Sequence, residues 1–257
     1  MLRSTTHGKT KQPGIRLWAV AFWLLLWHGA SLALQQDLLL VSPVSVILRL
    51  AALATDIHFW QSILFSLSRI GLGMLLAVIA GILLAALAAR YEGIHALLAP
   101  LMVAMKATPV ASFIILVLLW LPSRHLAVLV SFFMAMPILY ENTFTGILHT
   151  DEKLLEMVAV FHVPFSRQLR YLYIPQIFPF FQAGFVVSFG LCWKSGIAAE
   201  VIGLPKGSIG ERLYQAKIFL DTPDLFAWTL VIIFASLLCE KTCLFLLKRA
   251  LSRLEGR

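Results

Sequence analysis

Six stretches of this sequence are apolar over lengths that match the interior of a lipid bilayer: residues 17–34, 62–89, 94–121, 126–148, 176–199 and 225–247. About 20 apolar residues in a helix cross ~30 Å of hydrocarbon, and a helix satisfies its own backbone polar groups where no water is present. The fold class expected is therefore an all-α polytopic membrane protein with six transmembrane helices. The chain is 60% hydrophobic and 13% charged, with a mean hydropathy of +0.87, against roughly 45–50% and ~25% in soluble domains. A water-soluble globule is excluded, and no stretch is polar enough to form a separate catalytic domain. The first apolar stretch has one competing reading: Lys9, Lys11 and Arg16 precede it, and Ser31-Leu32-Ala33 resembles a small-residue cleavage site. Its bulky Trp18, Trp23 and Trp27, and the five spans that follow, favour a retained helix.

The formal net charge of +8 reads as a topology signal. Twelve Lys and Arg fall in residues 1–16, at Arg90, in 149–175 and after 247, whereas five (Arg49, Arg124, Lys206, Arg212 and Lys217) fall on the opposite side. The positive-inside rule then places both termini and the 149–175 loop in the cytoplasm. The expected organisation is a cytoplasmic segment 1–16, one transmembrane domain 17–247 and a cytoplasmic tail 248–257. Because the basic residues occur singly between apolar runs, with no basic stripe, nucleic-acid binding is excluded. The external stretches 35–61 and 200–224 are long enough to offer a docking surface. Ser42-Pro43 opens a short helix in the first, and Thr222-Pro223-Asp224 supplies a cap, a first-turn proline and a first-turn acid where the last span begins.

Within the second span, Gly73, Ala77, Gly81, Ala85 and Ala89 recur every four residues, a stripe that lets another helix approach closely. A helix of the same chain is the commoner partner, and a second copy is the alternative. Cys192, Cys239 and Cys243 form no CxxC pair and read as small hydrophobes. Charges inside spans cost ~3 kcal/mol or more when unpaired at mid-depth, so each needs an account. Arg69, Glu240 and Lys241 lie near span ends and can snorkel, and Lys106 precedes a kink at Pro109. Glu141, beside Asn142 and Thr143, should face protein or water. Lys194, beside Ser195 and six residues before Glu200, is either half of an ion pair or part of a translocation path. Glu141, Lys194, Ser195 and Glu200 are thus the candidate pathway residues.

The 149–175 loop is patterned. Thr150 or Asp151 can cap a helix over 151–163 with Leu154, Leu155, Val158 and Phe161 on one face. Pro164 stops it, and Ser166 can cap a second helix that ends toward Pro175. Two short amphipathic helices of this kind suit docking on a soluble partner, or else lie on the lipid surface. Glu156, His162 six residues on, and Leu172-Tyr173-Ile174-Pro175 have the spacing of the E-A-A-x-x-x-G-x(9)-I-x-L-P loop of binding-protein-dependent ATP-binding cassette (ABC) permeases, which this sequence resembles. Met157 and Val158 stand where that loop has alanines, and His162 where it has glycine. Phe59-Trp60-Gln61-Ser62, Lys106-Ala107-Thr108-Pro109, Glu141-Asn142-Thr143 with Gly146, and Trp193-Lys194-Ser195 with Ala199-Glu200 are similar to the nitrate, sulfonate and taurine branch.

The resemblance implies a type I importer fold and a prokaryotic inner-membrane location. The chain would be a permease subunit that moves a small, anionic solute by alternating access. Its implied partners are two ABC ATPase subunits, a second permease copy and an extracytoplasmic solute-binding protein. The residues implied to couple to the ATPase are Leu154, Leu155, Glu156, Val158, Ala159, Phe161, His162, Ile174 and Pro175. No catalytic residue, metal or cofactor is expected in the chain itself, ATP being bound by the partner. Gly8-Lys9-Thr10 imitates the end of a P-loop, but Arg3 stands where the first glycine is required. An ion-coupled secondary transporter would need an internal repeat with broken helices and paired midplane acids. An intramembrane enzyme would need clustered histidines and acids, and the histidines here are scattered.

Overall fold

The computed structural model describes residues 17–34, 36 and 40–254, and the 1–16 segment and its four basic residues lie outside them. The described residues form helices: α1 (Leu17–Leu34), α2 (Pro43–Ala54), α3 (Ile57–Arg90), α4 (Glu92–Ala107), α5 (Val110–Leu118), α6 (Ser123–Leu148), α7 (Glu152–Val160), α8 (Phe165–Gln168), a π-helical turn (Leu169–Tyr173), α9 (Ile174–Gly203), α10 (Ile209–Ile218) and α11 (Thr222–Leu254). Five of the apolar segments are long enough to cross a membrane: Leu17–Leu34, Ile57–Arg90, Ser123–Leu148, Phe165–Gly203 and Thr222–Arg253.

The sixth stretch, expected as one span over 94–121, is two helices, α4 and α5, meeting at 99°. Proline is the cause. Pro109 has no N–H to continue the ladder and forces Thr108 into extended backbone (φ −71°, ψ 123°).

The core is built on α6, which packs along α3 on one side and α9 on the other. The small-residue stripe of α3 makes the first contact possible. A Cβ on Gly73 would stand 2.4 Å from the Val128 carbonyl oxygen, and one on Gly81 would stand 3.0 Å from the Leu139 Cβ. The stripe therefore packs within the subunit as far as Ala85, with Ala77 and Ala85 fully buried beside the two glycines, while its last member, Ala89, is half-buried. Across α6, Gly196 of α9 holds the same kind of contact, its Cα facing Ile70 and the Ser131 hydroxyl.

Two caps differ from expectation. The start of α11 is capped by Asp221, whose Oδ1 accepts the Asp224 N–H at 3.1 Å, while Thr222 is already in the helix. Arg49 of α2 completes this corner, with Nε 2.9 Å from Asp224 Oδ1 and Nη2 3.8 Å from Asp221 Oδ2. In the 149–175 loop α8 starts from Pro164, whose carbonyl accepts the N–H groups of Arg167 and Gln168, and Ser166 is exposed inside the helix. Nor does this second helix end at Pro175. It widens into the π-turn, where Ile174 N–H reaches back to Leu169 O, and runs on as α9. Pro175 and Pro179 donate no N–H, and the wider turn carries the chain past them.

Candidate functional site

Two regions hold the residues singled out by the sequence. The first is intramembrane. Glu200, fully buried, accepts from the Ser66 hydroxyl at 2.6 Å and from the Gly210 N–H at 3.3 Å through the same carboxylate oxygen. Ser66 in turn accepts the Ile209 N–H at 2.9 Å. One acid thus ties α9 to α3 and to the N-terminus of α10, where helix N–H groups and their partial positive charge favour a carboxylate. The approach is so close that a Cβ on Gly210 would stand 2.4 Å from Glu200 backbone carbon. Glu200 is therefore a tertiary clamp and does not pair with Lys194. Six residues apart on a helix, the two point to different sides.

Ser195 is also spent structurally, donating to the carbonyls of Leu191 at 2.7 Å and Cys192 at 3.2 Å in its own helix. Lys194 differs from both neighbours. Nine residues before the end of α9, it is exposed, and so are Val187 and Leu191 on the preceding turns. Among the described residues it makes no hydrogen bond or ion pair. Glu141 forms an ion pair with Lys106, Oε1 to Nζ 2.5 Å, bridging α6 to the end of α4 beside the 99° bend. Both side chains are about two-fifths exposed, at 44% and 41%. Sequence reasoning gave these two residues separate roles. Their spacing of 35 positions carries no local signal of the pair.

Arg69 stacks on the Phe65 ring one turn earlier in α3, 4.0 Å from its centre, but it is half-buried and its Nη1 is buried without a hydrogen-bond partner, so it does not present the water-facing head group that snorkelling expects. Cys192 is buried, Cys239 and Cys243 are half-buried, and all three are free. No cluster of three metal-ligating side chains occurs among the described residues.

The second region is the 149–175 loop. Asp151 caps α7, accepting the Lys153 N–H at 2.9 Å, and its own N–H is held by Gln176 of α9 at 2.9 Å. The helix ends in a Schellman motif: Val163 N–H bonds to Val158 O at 3.0 Å, His162 N–H bonds to Ala159 O at 3.2 Å, and His162 is left-handed at φ 48°. Here the structure departs from the expected stop at Pro164. His162 makes the turn itself, in the conformation that glycine most readily adopts.

The expected apolar face also divides. Val158 is buried and Leu154 and Leu155 are half-buried, whereas Phe161 is 74% exposed. Beside Phe161, the outward side carries Met157 and Val160 as well as Glu156 and Ala159, all exposed. Ile174 and Pro175, half-buried, begin α9 and anchor the loop to the membrane domain.

Residues 73–254 match the family described as binding-protein-dependent transport system inner membrane component. The chain is 26% identical over 218 residues to the Bacillus subtilis protein designated an aliphatic sulfonates transport permease, SsuC, covering 84% of this chain and 76% of that one. It is 27% identical to the formylaminopyrimidine transport permease protein ThiX of Halalkalibacterium halodurans, over 79% of this chain and 81% of that one. It is 23% identical to the taurine transport system permease protein TauC of Escherichia coli, over 83% and 80%.

Proposed function

This chain belongs to the binding-protein-dependent transport system inner membrane component family and is a permease of an ABC import system, and from that membership we propose that it carries a small anion inward by alternating access. Two copies form the membrane pathway, with both termini and the 149–175 loop in the cytoplasm. Each copy docks one ATPase through α7, and a solute-binding protein delivers to the external surface of α2 and α10. ATP hydrolysis belongs to the partner. Relatives named for sulfonates and taurine support the anionic class.

The observation that carries the reading is the outward side of α7. Met157, Val160 and Phe161 stand in the open on a helix whose other side, at Val158, is buried. Such a helix inserts a few apolar anchors into a groove of its partner. Within the membrane, Lys194 supplies the solute contact. An uncovered ammonium at that depth costs ~3 kcal/mol in lipid, so its place is beside a water-filled path.

The test is Ala159→Asp, at the exposed centre of the docking side. The variant inserts normally, loses copurification of the ATPase and loses solute-stimulated hydrolysis. If it keeps both, α7 lies on the lipid surface instead.

A further inference from the structure

At the cytoplasmic end of the helices, α3 and α9 diverge over α6 and leave an open groove of about 600 Å³. Its walls are hydrocarbon: Ile82 and Ala86 of α3, Ile147 of α6, and Ile177, Phe178 and Phe181 of α9. Three polar side chains, Arg90, Thr143 and Tyr173, interrupt them. Thr143 lines the groove, 3% exposed, and its hydroxyl has no hydrogen-bond partner. Arg90 closes the α3 side as the last residue of that helix; exposed, it touches the Tyr91 ring at 5.4 Å and pairs with no carboxylate among the described residues. The hydroxyl is sealed from the groove, whereas the unpaired cation stands at its edge and calls for a counter-charge.

We infer that this groove holds one anionic phospholipid of the cytoplasmic leaflet, its acyl chain along Ile82, Ala86 and Phe178, and its phosphate at Arg90. Each feature has its counterpart in that molecule. The chain fills the apolar walls. The phosphate neutralises Arg90 where the positive-inside arrangement already concentrates cations. A zwitterionic lipid would satisfy the walls, but its headgroup carries a cation against Arg90. The placement in the inner leaflet rests on the proposed orientation, whereas the lipid class rests on the groove alone.

The experiment uses the full-length chain, extracted with native lipid in a mild detergent and exchanged into discs of equimolar phosphatidylglycerol and phosphatidylcholine. Native mass spectrometry then counts retained lipid. The wild-type chain retains phosphatidylglycerol over phosphatidylcholine by about fivefold, the effect of one basic residue at an anionic surface. Arg90→Gln brings that ratio to parity while lipid is still held, and Ala86→Trp, which fills the groove, removes lipid of both kinds. Parity in the wild-type chain overturns the inference, as does full retention by Ala86→Trp. Loss of self-association by Ala86→Trp with lipid unchanged overturns it too, and assigns the groove to a second copy. A phosphatidylglycerol with a photoreactive acyl chain gives a readout without any substitution. Adducts on peptides covering 82–90 and 174–181 are expected, and adducts confined to other faces count against the site. Transport and ATPase docking enter none of these readings, so failure here and failure of the importer assignment are separable.

Discussion

At the scale of single residues, His162 and Gly210 occupy backbone positions that few side chains tolerate. The left-handed conformation of His162 costs ~1–2 kcal/mol relative to glycine. His162→Gly should therefore raise the stability of the loop by about 1 kcal/mol, read as slower proteolysis between 149 and 175 with transport preserved. His162→Val should do the reverse, because a β-branched residue fits that conformation worst. Gly210→Ala should push α10 away from α9, costing about 1–3 kcal/mol as an overpacked contact does. The checks are a lower melting temperature and new protease sensitivity near Lys206. These two residues also mark the reach of sequence reading. Glycine spacing in the loop motif made His162 look like a loss, whereas the backbone keeps the conformation and accepts a different side chain. Nothing around Gly210 or Glu200 announces the clamp, because its third member, Ser66, lies 134 residues away in sequence.

At the scale of elements, α7 was legible as a helix but its inward side was not. Leu154, Leu155 and Val158 recur at helical spacing, yet Met157, Val160 and Phe161 do too, and periodicity alone does not choose between two apolar sides. The fold chooses, through the Asp151 to Gln176 tether and the burial of Val158. The two sides should respond oppositely. Phe161→Ala should weaken ATPase association by at least ~1 kcal/mol, seen as copurification that fails at higher salt or longer washing, with the melting temperature unchanged. Val158→Ala should lower stability by about 1.5 kcal/mol, the transfer value of the methyl groups removed, and leave association intact once the loop is folded. The bend between α4 and α5 shows a different limit. A run apolar enough to be one span was read as one, and Pro109 was placed at a kink, but the 99° angle depends on packing that hydropathy does not encode.

At the scale of the whole molecule, the asymmetry of basic residues predicts sidedness. Cysteines placed at exposed Ser166 and Lys206 should label from opposite faces. An impermeant maleimide on intact cells should modify position 206 and spare 166, and the reverse pattern would invert the proposed orientation. Lys194→Gln should reduce anion uptake more than Arg69→Ala at equal membrane abundance, since Arg69 is half-buried against Phe65 while Lys194 faces outward with no partner among the described residues. Equal uptake by the two variants would remove the pathway role. The π-turn at Leu169–Tyr173 has a mechanical consequence of its own. It joins α8 to α9 without a break, so the second half of the 149–175 loop and the clamp at Glu200 sit on one shaft. A π-turn holds one residue more than an α-turn. That extra residue is taken up inside the widened turn, so removing it would leave a continuous α-helix with the parts on either side in nearly the same rotation and height. The widened turn thus works as a slack link, absorbing a residue that in a straight α-helix would swing the loop by about 100° against the membrane domain.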